Sequence, residues 1–458
     1  MQGKVRHFTH WLQGSSARGG IEVMPMMRMD VFEEHFSEAA FLYFQWERAL
    51  RGLHYNLEET AQLEERLLAH LDGLVLGGES VAEALLRPAL EGEEPGEVFC
   101  SVFASIAESP SSTLEAVLAL APVASPVVQA SLRRALEVSR RLGLEAALVP
   151  LLNSSEASMQ ALVLEVLAFR GAVPRDAALE LLGHEDGRVV VAALKGLGVL
   201  GKALGLRELT RLLNDKRPKV RLAAIEYGLM AGVRAAWDAC RQEARGRGDG
   251  ASAARVLQAI CGDDNDVEHL VKLTADGVIR TDVLWALGFT GRVAAAEACL
   301  ELMGQVPSVA RLAGEAFSAI TGLTLIDTYS VEVEEEESLP PLEEDDLDAD
   351  LTPRHEDELP VPARASVADW WLRTRQDYLS SARYLGGKPF SGTALLAALA
   401  NGSMRRRHVL AQELALRTQG AHCVQTLALT ARQVAELAGA ARVAATVPTR
   451  PLARTFGE

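Results

Sequence analysis

The sequence predicts an all-α fold, an α-solenoid in which helical hairpins stack along one axis. Glycines recur at intervals of 30, 31, 30, 29 and 31 residues, and a fixed period of this length is typical of stacked helical repeats. Between successive glycines lie two apolar helical runs and a polar turn. Aromatic residues make up only 5% of the chain, which favours Leu- and Ala-rich helix packing over a β-sandwich. The spaced glycines are Gly171, Gly201, Gly232, Gly262, Gly291 and Gly322.

The repeats are clearest in residues 151–171, 181–201 and 212–232. We expect each closing glycine to adopt the left-handed conformation that commonly ends a helix, because glycine has no Cβ to clash there. One unit alone would leave an apolar face bare, and stacking would bury it. The pattern predicts repeats over residues 125–322 and a further one ending at Gly420, about seven in all.

Residues 1–29 are predicted to be a disordered leader, and a later translation start between Met24 and Met29 stays open. The first residues lack the apolar stretch of a secretory signal. Residues 30–124 are predicted to form a helical cap for the array. Aromatic residues cluster in it, from Phe32 to Tyr55, as packing or as a partner groove. Asn56 and Glu59 have the spacing of a capping box at a helix start.

Residues 323–365 lack a helical period and are predicted to be an acidic, proline-rich insertion that is extended or disordered. Residues 327–358 hold 15 acidic groups and one Arg, whereas residues 359–458 hold 13 basic and five acidic groups. We expect this acidic strip to fold back over the basic C-terminal part or to cover a surface that a basic partner later takes. Simple solubilising disorder is the alternative. Residues 366–446 are predicted to be helices starting with a cap at Ser366, and residues 447–458 a frayed tail.

The composition limits the classes of partner and compartment. The net charge of −16 argues against a nucleic-acid partner. No apolar run is long enough to cross a membrane. The five cysteines are scattered, without a close pair, which favours a reducing, cytoplasmic compartment and argues against a disulfide or zinc framework.

Two motifs suggest chemistry but lack its context. Gly196, Gly198 and Gly201 spell G-x-G-x-x-G, yet they end a predicted repeat helix, whereas a dinucleotide site needs the motif between a strand and a helix. His184 precedes Glu185 in one repeat turn and His355 precedes Glu356 in the acidic strip. A lone His-Glu pair cannot supply the ligands of an iron site. We therefore predict no catalytic residue, no metal and no cofactor.

Two exposed-looking clusters are candidates for partner contact. Arg405, Arg406 and Arg407 form the one dense basic cluster. Phosphate contact is an alternative role, although no aromatic stacking platform adjoins them. Trp370 and Trp371 begin an amphipathic helix, as partner anchors or as core packing.

The repeat units resemble HEAT repeats of the short bacterial kind over residues 125–322 and 391–420. More narrowly, residues 33–50, 63–74 and 368–389 resemble an uncharacterised proteobacterial HEAT-repeat family. Genes of that family tend to lie among type VI secretion accessory genes, beside spike and PAAR-like proteins. The resemblance implies an accessory or adaptor role and carries over no catalytic residues.

Our leading hypothesis is a cytoplasmic, non-catalytic scaffold or adaptor that binds another protein along its concave face. The resemblance implies a secretion spike, a PAAR-like protein or an effector as partner, and neither nucleic acid nor membrane is expected. The rival hypothesis is a HEAT-repeat enzyme or chaperone of the bilin-lyase or di-iron hydroxylase kind. It predicts bound pigment or metal in the purified protein.

Overall fold

The computed structural model describes residues 28–107, 111–199, 204–331 and 356–457. Within them the fold is all-α, as predicted, with two short β-ladders as the only sheet. None of the helices there is long and apolar enough to cross a membrane. The predictions for residues 1–27, for Gly201 and for most of the acidic strip (residues 332–355) lie outside the described residues.

Helices near the N-terminus pack into a compact cap. Helix α1 packs along α2, and α5 packs against both. The predicted capping box is confirmed, since the Asn56 side chain accepts from the backbone of α2 and Glu59 reaches back to the Asn56 amide. The Tyr43 ring stacks on Phe99 with centroids 4.2 Å apart. The helices are α1 (Met29–Ala49), α2 (Leu57–Leu76), α3 (Gly78–Val81), α4 (Arg87–Leu90), α5 (Pro95–Ala107) and α6 (Ser111–Leu120), with a π-helical turn at Ala82–Leu86.

A run of helix pairs follows. It opens with α7 (Pro126–Val138), whose first turn is capped by the Ser125 hydroxyl. The pairs are α8 (Leu144–Leu148) with α9 (Ala157–Arg170), α10 (Arg175–Leu181) with α11 (Gly187–Val199), α12 (Leu206–Leu213) with α13 (Pro218–Met230), α14 (Arg234–Ala244) with α15 (Ala251–Cys261), α16 (Asp264–Leu273) with α17 (Arg280–Leu287), and α18 (Val293–Leu302) with α19 (Pro307–Thr321). We call α7 and the later member of each pair the second helices. Each second helix contacts the next one along the chain, so the pairs are stacked in sequence order.

Most of the described repeat-end glycines adopt the expected left-handed conformation, with φ of 73° at Gly171, 77° at Gly232, 65° at Gly291, 76° at Gly322 and 79° at Gly420. Gly262 differs, because it ends α15 in extended conformation with φ −70°. A Cβ there would lie only 2.6 Å from the Cβ of Asp266. The glycine at that repeat end therefore permits close approach of the next helix and does not supply a left-handed turn.

The two ends of the insertion predicted over residues 323–365 are ordered, and short extended strands form part of them. Strand β1 (Ser330–Val331) pairs antiparallel with β2 (Val361–Pro362), so the two ends lie side by side. Leu323 and Leu325 are buried, and these apolar contacts explain the order. Helix α20 (Arg364–Thr374) follows β2 directly, begins two residues before the predicted cap, and has no side-chain cap.

The C-terminal part continues through β3 (Tyr384–Leu385), β4 (Lys388–Pro389), α21 (Gly392–Asn401), α22 (Met404–Arg417) and α23 (Thr430–Ala441). The tail predicted to be frayed over residues 447–458 is ordered up to Gly457. The Gly457 amide donates to the Gly232 carbonyl at 3.0 Å, and the Arg234 amide donates back to the Gly457 carbonyl at 2.8 Å. The Phe456 ring lies 5.9 Å from that of Trp237. Free backbone groups beside a repeat-end glycine thus hold the tail.

Candidate interaction surface on the second helices

Residues 364–457, which we call the C-terminal segment, lie against the C-terminal ends of the second helices. The Tyr384 amide donates to the Gly291 carbonyl at 2.7 Å, and the Gly387 amide donates to the Ile320 carbonyl at 3.0 Å. A Cβ on Gly291 would lie 2.3 Å from the Tyr384 carbonyl oxygen. The repeat-end glycines therefore also leave room for the C-terminal segment, a role that the sequence pattern did not reveal.

Arginines of the C-terminal segment bind carbonyl groups at these helix ends. The Arg383 guanidinium donates to the Phe289 carbonyl at 2.9 Å and to the Thr290 carbonyl at 3.1 Å. Arg417 donates to the Ile260 carbonyl at 3.4 Å. The last carbonyls of a helix lack partners within it and carry partial negative charge, so a cation placed there is favoured. Part of the positive charge of the C-terminal segment therefore serves the fold.

The described end of the acidic strip contacts both ends of the chain. Glu358 pairs with Arg48 on α1 and lies 3.8 Å from the His54 ring nitrogen. Glu356 lies 4.0 Å from the Arg405 guanidinium. These contacts link the strip to the N-terminal cap as well as to the C-terminal segment. How residues 332–355 relate to the basic residues stays a prediction.

The predicted partner-binding arginines lie inside the protein, which disagrees with their expected role as an exposed cluster. Arg405 forms a two-pronged pair with Glu315, at 3.0 and 3.3 Å. Arg406 donates to the Gly288 carbonyl at 2.9 Å, and burial lowers its pKa. Arg407 is fully buried, donates to the Leu399 carbonyl at 2.6 Å, and burial lowers its pKa to about 10. Their guanidiniums point into the protein because backbone carbonyls and the Glu315 carboxylate accept hydrogen bonds from them there.

Trp371 lies in the hydrophobic core and Trp370 packs at its margin. Core packing was one of the two roles predicted for these residues. Trp371 is 5% exposed and packs edge-on against Phe317, with ring centroids 5.4 Å apart. Trp370 is half-buried and also meets Phe317 edge-on, at 6.1 Å. An anchoring role for a partner is therefore not available to Trp371.

A buried ion cluster fixes α22 to the rest of the C-terminal segment. Glu413 has no exposed surface and accepts from Arg383 at 2.9 Å and from Arg417 at 2.7 Å. The centroid of the Phe390 ring lies 4.0 Å from the Arg383 guanidinium and 4.6 Å from that of Arg417. Burial alone would raise the pKa of the Glu413 carboxyl, but the two guanidiniums outweigh burial and the pKa is lowered. Glu413 is therefore an ionised, structural carboxylate.

The second helices together form one surface, which we call the second-helix face. Helix α22 covers one part of this face and leaves another part open. It contacts α13 and α15, and the Gln412 amide donates to Glu226 at 3.2 Å. On α17 the covered position is aromatic: the guanidiniums of Arg405 and Arg406 lie 4.7 Å and 5.2 Å from the centroid of the Trp285 ring. The His408 ring stacks near Trp285 with centroids 6.1 Å apart.

The same helical position carries charge on α9, α11 and α13, the last of which borders α22. Counted six residues before each repeat-end glycine, the side chains are Glu165, Lys195 and Glu226 on α9, α11 and α13. Arg133 on α7 donates to Glu165 at 2.9 Å. We call these four residues the charged row. Lys195 is exposed, while Glu165 and Glu226 are half-buried. Burial raises the pKa of Glu226, and the Lys195 charge opposes that rise.

A cleft of about 440 Å³ opens at the C-terminal end of α9, beside the charged row. Its walls carry Arg140, Arg170 and Arg432 together with three glutamates. The Phe169 ring lies in the wall, with the Arg432 guanidinium 5.5 Å from its centroid. Because its walls combine an aromatic ring with both signs of charge, the cleft has features common at protein-binding surfaces.

Other sequence candidates have structural roles. The His184 ring nitrogen accepts from the Asp186 amide at 3.0 Å within a repeat turn. Gly196 lies inside α11, where an added Cβ would lie 2.7 Å from the Val173 side chain. Among the described residues no group of three or more His, Cys, Asp or Glu side chains is arranged to hold a metal ion. His355 lies outside the described residues.

Comparison with known proteins adds little. No protein-family model matches the chain, and no curated protein matches it. Among matching solved structures is an engineered protein, 16% identical, with a TM-score of 0.27 over 63% of this chain and 93% of that chain. A likeness of this size supports no inference about function.

The charged row was missed in the sequence, although a signal for it was present. Aligning the repeats on their closing glycines places Glu165, Lys195, Glu226 and Trp285 in one register. The alignment alone does not show which of these positions the C-terminal segment covers. Only the packing of α22 separates the covered positions from the open ones.

Proposed function

We propose that this protein is a cytoplasmic, non-catalytic scaffold or adaptor that binds another protein along the charged row. One observation carries the proposal: α22 side chains cover Trp285 on the second helices, whereas Arg133, Glu165 and Lys195 stay accessible. Glu226 lies at the border, where Gln412 of α22 reaches it. Neighbouring packed helices lie about 8–10 Å apart. Successive charged side chains of the row are therefore separated by about this distance along the stack. An extended polypeptide advances about 3.3 Å per residue, and about three of its residues would match each repeat.

The row suits a partner segment that carries charges of both signs. Arg133 and Glu165 already pair with each other, whereas Lys195 is exposed. We therefore expect Lys195 to contribute most to capture of a partner carboxylate, and Glu226 to receive a donor beside Gln412. The open part of the second-helix face takes the place of the whole concave face that the sequence suggested.

The resemblance to HEAT-repeat proteins encoded among type VI secretion genes supports a choice of partner. We propose a secretion spike, a PAAR-like protein or an effector from the same gene cluster. The test is titration calorimetry of the full-length protein with each purified candidate. Lys195→Glu reverses one exposed charge of the row, and Lys216→Glu reverses an exposed charge in a repeat turn as the matched control.

We expect one candidate to bind the wild type and the Lys216→Glu variant alike. The Lys195→Glu variant should bind at least about tenfold more weakly, because reversing one charge in a close pair removes more than about 1.4 kcal/mol. Equal binding by both variants would place the partner elsewhere on the protein. Absence of binding by every spike, PAAR-like and effector candidate would overturn the proposed partner class.

A further inference from the structure

Two histidines face each other across the first two helices. The Nδ1 atom of His35 on α1 lies 3.0 Å from the Nδ1 atom of His70 on α2. Their ring centroids are 5.0 Å apart and the ring planes meet at 66°. Both rings are half-buried, so solvent and small ions can reach them. The pair lies in the N-terminal cap.

The helices bring these rings together because a glycine leaves space for one of them. A Cβ on Gly73 would lie 3.3 Å from three atoms of the His35 ring. Any larger residue at position 73 would push the His35 ring away from α2. The neighbouring Phe32 ring, with its centroid 6.5 Å from that of His35, bounds the site on the α1 side.

A single proton between the facing nitrogens satisfies one ring as donor and the other as acceptor. A second proton there would make one ring a cation and set two N–H donors against each other. Burial, followed by the charge of His35, lowers the pKa of His70. Glu34 and Glu38 on α1 raise that pKa and Arg66 on α2 lowers it.

The nitrogen separation matches that of two ligands on one metal ion. Metal–imidazole bonds are about 2.0–2.1 Å long. Two such bonds at a right angle place their nitrogens about 2.9 Å apart, and two at the tetrahedral angle about 3.4 Å apart. The observed 3.0 Å lies within this interval and next to the right-angle value.

We propose that His35 and His70 form a binding site for a late first-row divalent cation, of the class Ni²⁺, Cu²⁺ or Zn²⁺. Imidazole is a preferred ligand for these ions. Because no third ligating side chain joins the pair among the described residues, water completes the coordination shell. Glu34 and Glu38, both exposed on the neighbouring turns of α1, add negative charge that favours a cation. A bound ion would cross-link α1 and α2.

The test is calorimetric titration of the full-length protein with Ni²⁺ at pH 7.5. His35→Ala and His70→Ala each remove one ligand. His54→Ala is the matched control, since His54 is exposed and lies outside the pair. Every variant keeps His7, His10 and Cys423, so Ni²⁺ held elsewhere contributes equally to all of them. We expect the wild type and the His54→Ala variant to bind one Ni²⁺ more than either ligand variant.

A second measurement guards against a folding effect. Ni²⁺ should raise the thermal unfolding midpoint of the wild type, because it binds the folded pair, and should not raise that of the His70→Gln variant. Gln keeps a hydrogen-bonding group beside His35 but offers no imidazole. Equal Ni²⁺ stoichiometry in the wild type and in correctly folded ligand variants overturns the proposal. So does loss of the site at pH values well above 7, where imidazole is neutral.

Discussion

Replacing Gly291 by alanine tests the docking of the C-terminal segment on the repeat ends. Gly291 has φ 65°, and a non-glycine residue in this left-handed region loses roughly 1–2 kcal/mol. An alanine Cβ would in addition lie 2.3 Å from the Tyr384 carbonyl oxygen. That oxygen belongs to the backbone of β3, so it moves only if the strand moves. Forcing such a shift costs about 1–3 kcal/mol more.

Two further glycines separate these two effects. Gly143 has φ 74° and no atom within 4 Å of an added Cβ, and Gly183 has neither a positive φ nor a close neighbour. We expect Gly143→Ala to lower the free energy of unfolding by about 1–2 kcal/mol. Gly183→Ala should leave it unchanged or raise it by about 0.4–1 kcal/mol. Gly291→Ala should lower it by about 2–5 kcal/mol, the sum of both effects.

The assay is urea unfolding followed by circular dichroism, together with amide hydrogen exchange. The Tyr384 amide donates to the Gly291 carbonyl, so it should exchange faster in Gly291→Ala and at the wild-type rate in Gly143→Ala. If Gly291→Ala destabilises no more than Gly143→Ala and Tyr384 keeps its protection, the C-terminal segment does not depend on contact at this glycine.

Three further predictions concern ionisable groups. Glu413→Gln should lower the free energy of unfolding by about 3–5 kcal/mol, because it leaves Arg383 and Arg417 buried without a carboxylate; a urea midpoint near that of the wild type would refute this. The pKa of Glu413 is lowered in the folded protein. Its stabilising effect is therefore present above the unfolded pKa of about 4.3 and is lost as the pH falls through the folded pKa. Urea midpoints measured from pH 6 to pH 3 should fall more steeply for the wild type than for Glu413→Gln. Among the five cysteines Cys423 alone is not buried, and burial raises the pKa of Cys299 to about 12. Iodoacetamide at pH 8 should therefore label at most Cys423 in the native protein. A labelled Cys299 in the mass spectrum would contradict its burial.

Local signals in the sequence identified the helices and their ends. The Asn56–Glu59 spacing predicted a capping box, which the structure contains. Spaced glycines predicted left-handed helix ends, found at Gly171, Gly232, Gly291 and Gly322. Such features depend on residues a few positions apart, so the sequence carries them directly. Ser366 has a similar capping spacing, yet α20 starts earlier, because the pairing of β2 with β1 sets where that helix begins.

The arginines of the C-terminal segment illustrate what local sequence signals do not predict, namely which charged side chains are buried. A dense run of arginines looks the same in a sequence whether it faces solvent or helix ends. Arg405 and Arg407 are buried because Glu315 and the Leu399 carbonyl lie where their guanidiniums reach. Glu315 is 90 residues away from Arg405 along the chain. No periodicity in the sequence encodes a partner at that distance.

The sequence by itself determined that the chain is helical, that helical units recur about every 30 residues, and which glycines close them, because helix periodicity and helix ends are set by near neighbours. Only the tertiary structure decided what those ends contact. It laid the C-terminal segment over Gly291 and Gly322, placed α22 side chains on Trp285, and left Arg133, Glu165 and Lys195 accessible. These outcomes depend on burial and on hydrogen bonds between residues that are distant in the chain. Such residues become neighbours only when the chain is folded.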